Sequence, residues 1–222
     1  MANSNRKAVH FLASKTGRTL ACGVALLLPL SGSGTAPTPP PPTRKWVGPE
    51  LPNPAGGTIQ TAIYYGPWQC RQEWLDDCQA RCSSLGYKLM GCIWLADIKT
   101  DTQTRFLGFP LSAGGRLAIK HCCCDYPVAA DQDQRRSAWK NGTDAFRRKW
   151  AGEFGQWPTE PNEENWPGHH IRDIRHGGDP LADGNVLPAP PDTHLVINSA
   201  YIACYSGKGD WNKAGPHWPY TD

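Results

Sequence analysis

The chain has 222 residues, of which 39% are hydrophobic and 19% charged, and a formal net charge of +3. That much apolar material can bury a core, which excludes a chain disordered throughout, while so small a charge does not by itself argue for a nucleic-acid partner. Counts of 23 Gly, 21 Pro and 10 Trp point to a loop-rich fold pinned by large aromatic anchors.

No Asp or Glu precedes Glu50, whereas Arg6, Lys7, Lys15 and Arg18 lead into the apolar run LACGVALLLPL at 20–30. This is the construction of an export signal, too short for a comfortable permanent span, with small residues for cleavage in SGSGTA at 31–36. Residues 1–34 are therefore expected to be removed, leaving an exported protein, periplasmic or secreted, with no stable membrane span. The LAC triplet ending at Cys22 resembles part of a lipoprotein signal but stands at the start of the apolar run, so lipidation is the lesser reading. Residues 35–60 are dense in proline and read as a stiff, extended linker without helix or sheet.

Residues 61–128 read as a cysteine-rich α+β domain. RQEWLDDCQARCSSLG at 71–86 predicts a helix with Leu75, Cys78 and Cys82 on one face, stopped by Gly86. YKLMGCIWLADIK at 87–99 and GRLAIKHCCCDY at 115–126 predict strands, separated by the turn-prone FPLSAGG. Without the signal, Cys70, Cys78, Cys82, Cys92, Cys122, Cys123, Cys124 and Cys204 remain, enough for four disulfides in an oxidising setting, and sequence does not choose their pairing. Zinc is the competing use, because Cys78 and Cys82 are spaced like half a metal site, but the CCC run is not a knuckle spacing. His121 beside Cys122 reads as the neighbour of a structural cysteine and not as the base of a thiol nucleophile.

Residues 129–222 begin with a basic helix that Thr143 is expected to cap and Gly155 to end, burying Phe146, Trp150 and Phe154. This segment is net acidic, with ten Lys plus Arg against thirteen Asp plus Glu. Its basic residues are bunched, however: Arg135, Arg136, Lys140, Arg147, Arg148 and Lys149 face only Asp144 within their interval. Such a run is most often a solvated face, and it can also follow a phosphate backbone. The rigid loop WPTEPNEENWPG at 157–168 then delivers adjacent histidines in GHHIRDIRHGG, and on a strand neighbours face opposite ways, so His169 and His170 can serve different tasks.

After the Gly177-Gly178 turn come Asn185-Val-Leu-Pro and a helix start at Pro191-Asp192. That helix buries Ile197, Ala200, Tyr201 and Cys204, ends at Gly207, and projects His194 and Asn198 from one side. This order, with Gly168-His169-His170, Asn185-Val-Leu-Pro, His194 and Asn198 at their spacings, resembles the HNH or ββα-metal (His-Me finger) nuclease superfamily, especially colicin-type DNases and GHH-type bacterial toxin nucleases. The resemblance covers the last third to two fifths of the chain and implies an HNH-type nuclease domain over 129–222. It implies His169, His194 and Asn198 as metal ligands, His170 as general base, and Asn185 as the residue that ties the loop so that the base faces the phosphate. The family often has histidine where Asn198 stands, and an amide oxygen is a harder donor than imidazole. One divalent ion is therefore implied, Mg²⁺ or Mn²⁺ before Zn²⁺ or Ni²⁺.

A cation is needed to dock the phosphate, and strand alternation nominates Arg172, on the His170 side, with Arg175 next. His176, between turn residues, and His217 near the end are expected to stay outside the site. The function expected is that of an exported, metal-dependent endonuclease acting on nucleic acid, DNA before RNA. The family suggests a toxin with an immunity or inhibitor protein as partner. The alternative is a secreted disulfide-rich binding module without catalysis, which would engage a glycan or protein through the aromatic residues of DWNKAGPHWPY at 210–220.

Overall fold

An antiparallel four-stranded sheet organises the chain in a computed structural model that describes residues 44–101, 105–106, 108–111 and 115–215. The export signal, the first part of the expected linker, and His217 with its aromatic neighbours lie outside the described residues. In chain order the elements are β1 (Arg44–Val47), the short strands β2 (Leu51–Pro52) and β3 (Thr58–Ile59), β4 (Thr61–Gln69), α1 (Gln72–Ser84), β5 (Leu89–Thr100), the hairpin of β6 (Arg105–Phe106) and β7 (Phe109–Pro110), β8 (Arg116–Cys124), α2 (Gln132–Phe154), β9 (Gly168–His170), β10 (Val186–Pro188) and α3 (Pro191–Tyr205). The class is mixed α+β. The sheet runs β1-β4-β5-β8, and β9 pairs with β10 as a separate antiparallel ribbon.

The cysteine run becomes intelligible once β8 is a strand with both faces covered. Alternation sends Cys122 and Cys124 to one face, where they join Cys78 and Cys82 of α1, and sends Cys123 to the other face, where it joins Cys204 of α3. The fourth disulfide, Cys70–Cys92, closes the start of α1 onto β5. Each face thus carries its own apolar cluster. On one side Leu75, Trp94 and Tyr126 pack among disulfides; on the other Ile63, Leu95, Ile98 and Ile119 meet Phe146, Trp150 and Phe154 of α2 and Ile197, Ala200 and Tyr201 of α3.

Three expectations change. Residues 44–60, assigned to the linker, enter the fold: β1 is the edge strand against β4, and its Trp46 lies 6.3 Å from the Trp150 ring. Proline density falls after residue 42, and RKWV supplies an aromatic and a branched residue that a sheet edge can use. The segments 61–128 and 129–222, expected as separate domains, share one core, because two helices and a three-residue ribbon cannot cover their own apolar faces and take the sheet as partner. Thr143 does not start a helix: α2 runs unbroken for 23 residues from an Asp131 cap, and the Thr143 hydroxyl donates to the Trp139 carbonyl one turn back. The rest of α2 follows expectation, with Phe146, Trp150 and Phe154 buried and Gly155 at its end with φ of 89°. No helix among the described residues is long and apolar enough to cross a membrane.

Candidate functional site

The β9-β10 ribbon and α3 converge on a cavity of about 780 Å³. Its local geometry follows from small residues and one amide. A Cβ on Gly168 would lie 2.5 Å from Cζ2 of Trp139, so the glycine before the histidines lets the α2 indole seat against the ribbon. A Cβ on Gly178 would lie 1.8 Å from the Arg172 carbonyl oxygen, so the loop after the histidines can close only on glycine. Asn185 locks that loop: its Oδ1 accepts from the Arg172 N–H (2.7 Å), and its Nδ2 donates to the carbonyls of Arg172 (3.0 Å) and Asp179 (2.8 Å). Of the sequence-predicted site residues, His169, His170, Arg175, His194 and Asn198 all line the cavity.

His169 is 2% exposed, and its hydrogen bonds settle which ring nitrogen is open. Tyr201 spends its hydroxyl proton on the Ile171 carbonyl at 2.9 Å, so at 2.9 Å from His169 Nε2 it can only accept. Nε2 therefore carries the proton, and Nδ1 holds the free lone pair. The His194 ring lies 5.5 Å from that of His169, at 75°. Two imidazoles sharing one ion, with metal–nitrogen bonds of about 2.1 Å and ring centres about 1.1 Å behind each nitrogen, would sit about 5 Å apart at a near-tetrahedral angle. The pair fits a shared ion by that measure, and the Tyr201 contact is the kind of outer hydrogen bond that fixes a ligating histidine. Burial drives the His169 pKa well below the ordinary imidazole value, with His194 and His170 acting the same way, so the ring is neutral as a ligand must be. Burial likewise lowers that of His194. Asn198 is exposed on the same side of α3. No group of three or more His, Cys, Asp or Glu suited to a metal ion occurs among the described residues; the set here has two histidines, with the Asn198 amide as its remaining donor.

His170 is positioned independently. Its Nε2 donates to the Pro180 carbonyl (3.1 Å), leaving Nδ1 as the acceptor, and its ring stands edge-on to Trp139 at 4.9 Å. Burial lowers its pKa, keeping it neutral at neutral pH.

Arg172 is not the cavity's cation. The strand ends at His170, so alternation cannot be extended to position 172, and its guanidinium lies over the Tyr126 ring (4.2 Å) with Nε donating to the His176 carbonyl (2.9 Å). It lines a separate cavity of about 210 Å³ on the β8 side. Arg175 does reach the histidine cavity, joined by Arg136 and Arg147 of α2, which sequence placed only in a general basic run. His176, expected outside, also lines it: its Nδ1 contacts Asp173 Oδ2 (3.1 Å), and its ring stacks on Tyr205 at 3.8 Å. The i,i+3 spacing of Asp173 and His176 was the available signal. Asp173 is the sole carboxylate among the described lining residues, against three guanidiniums, so the cavity is cationic within a net acidic segment. His121 stacks on Tyr201 at 4.4 Å from behind, and burial pushes its pKa down to about 3.

No family model, no curated protein and no solved structure matches this chain.

Proposed function

We propose that the protein is a metal-dependent phosphodiester hydrolase of the HNH type, an endonuclease acting on nucleic acid. The observation that carries this reading is the single cavity in which His169, held as the tautomer with Nδ1 open, faces His194, with neutral His170 beside them and three guanidiniums around them. His169, His194 and Asn198 would hold one divalent ion, which when bound stabilises negative charge on the non-bridging oxygens and on the departing oxygen.

The chain's own residues supply the rest. His170 Nδ1 takes a proton from water, with Nε2 anchored on Pro180 so that the ring keeps its aim. Water adds across the P–O3′ bond, leaving 5′-phosphate and 3′-hydroxyl ends. Arg175, Arg136 and Arg147 offset the phosphate charge. Four disulfides suit an oxidising compartment, in keeping with export, and a toxin role with a protective inhibitor remains the family's implication.

The test is nicking of supercoiled plasmid and cleavage of RNA across Mg²⁺, Mn²⁺, Zn²⁺ and Ni²⁺. Cleavage abolished by EDTA and by His170→Ala is the expected result. Oxidised wild-type protein that leaves both nucleic acids intact with every metal would end this reading.

A further inference from the structure

The cations bunched along α2 separate into two sets. Arg135 is engaged by Asp131 (2.9 Å) and directed at the carbonyls of Gly177 and Gly178, and Lys149 pairs with Asp183. Arg136 and Arg147 line the cavity that holds His169, His170, His176 and His194. At about 100° per residue, positions 136, 140 and 147 fall within roughly 40° of one another around the helix, so Lys140 continues the same line. Arg136 and Lys140 are exposed. Arg147 is half-buried: its Nη2 donates to the Trp166 carbonyl at 3.5 Å and its guanidinium lies 5.7 Å from the Trp157 ring, while Nε has no hydrogen-bond partner among the described residues and Asp144 stands 3.7 Å away, largely in solvent. Between positions 136 and 147 the helix rises about 16.5 Å, roughly five nucleotides at about 3.4 Å each.

We propose that this face of α2 is the track on which one strand of nucleic acid lies as it enters the histidine cavity, its phosphates meeting Arg136, Lys140 and Arg147. The assignment rests on the phosphodiesterase reading above for the identity of the ligand. Straightness argues for a strand: three cations spaced along one helical axis and ending at a cationic cavity match a linear polyanion, and the net acidity of the segment elsewhere confines the attraction to this line.

Binding is read apart from cleavage by fluorescence anisotropy in EDTA, with the oxidised protein and a short labelled single strand, the matching duplex being run in parallel. Each phosphate-neutralising cation contributes about 0.7 to the salt slope on a single strand. The Arg136→Gln/Lys140→Gln/Arg147→Gln variant should lower the slope by about 2, so that on going from about 1 M to about 0.1 M salt its affinity rises about 100-fold less than that of wild type. Arg136→Gln/Lys140→Gln, which touches only exposed side chains, should lower it by about 1.4 and guards against misfolding at Arg147. Arg148→Gln, about 120° around the helix from Arg136, should leave it unchanged. Triple-variant affinity equal to wild type, or an Arg148→Gln drop in slope of half or more of that of Arg136→Gln/Lys140→Gln, overturns the track while the nuclease reading stands on its plasmid assay. Wild-type protein that binds neither strand nor duplex overturns both.

Discussion

Tyr201→Phe removes one oxygen atom and strands two buried groups. The hydroxyl accepts from His169 Nε2 and donates to the Ile171 carbonyl, both at 2.9 Å, in a side chain only 4% exposed, so water does not replace it. An orphaned buried donor or acceptor costs about 1–3 kcal/mol, so the pair should cost about 2–6 kcal/mol, or roughly 6–18 °C in melting temperature at about 3 °C per kcal/mol for a chain of this size. With His169 as the proposed ligand, loss of this outer contact should weaken metal binding by about 10–100-fold, because the ring is then free to exchange its tautomer. The assay is thermal melting in EDTA beside calorimetric titration with Mn²⁺ or Zn²⁺. Tyr205→Phe is the control, since that buried hydroxyl has no hydrogen-bond partner among the described residues and its removal should be close to neutral. A Tyr201→Phe protein that melts and binds metal like wild type refutes the tautomer argument; one that is destabilised but binds metal normally reduces Tyr201 to a packing role.

Cys123→Ala/Cys204→Ala opens the disulfide that spans 81 residues, including the whole candidate site, and the other three bridges close only within 70–124. Chain entropy alone gives a loss of about 4.5 kcal/mol, checked by urea unfolding of the oxidised variant; a loss under about 1 kcal/mol would contradict it. In EDTA, stability should fall as pH drops below 6.5. A His121 pKa held near 3 means the native state binds fewer protons than the unfolded chain over that window, and His169, His170 and His194 act in the same direction. His121 alone contributes about 1.4 kcal/mol per pH unit, so His121→Phe should flatten the acid limb, and an unchanged limb would count against the assignment. Gly168→Ala drives a methyl into the Trp139 indole, which stands edge-on to His170. Expected are a cost of about 1–3 kcal/mol in urea unfolding and a larger proportional loss of plasmid nicking, and equal activity to wild type would show that the indole has room to move.

Much of the local structure was legible in the sequence because periodicity and punctuation are local properties. Leu75, Cys78 and Cys82 recur at helical spacing before Gly86, and α3 buries Ile197, Ala200, Tyr201 and Cys204 as its pattern requires. The misreadings share a cause. Thr143 looked like a cap because it stands just before the repeat of Phe146, Trp150 and Phe154, yet α2 already runs through it, with Gly142 seated under Leu181. Arg172 looked like a docking cation because alternation was carried past the end of a three-residue strand.

By itself, then, the sequence determined α1, α3 and the buried face of α2, the strands β5 and β8, the even set of cysteines after the first apolar run and the spacing of His169, His170, Asn185, His194 and Asn198. Only the tertiary structure decided which cysteines meet, since the two faces of β8 divide the CCC run between α1 and α3, and that depends on what packs on each side. It also decided which nitrogen of His169 is free and which arginines face it. Those are set by Tyr201, Arg136 and Arg147, from elements remote in sequence, and a hydrogen bond between positions 32 residues apart leaves no mark on the spacing of either.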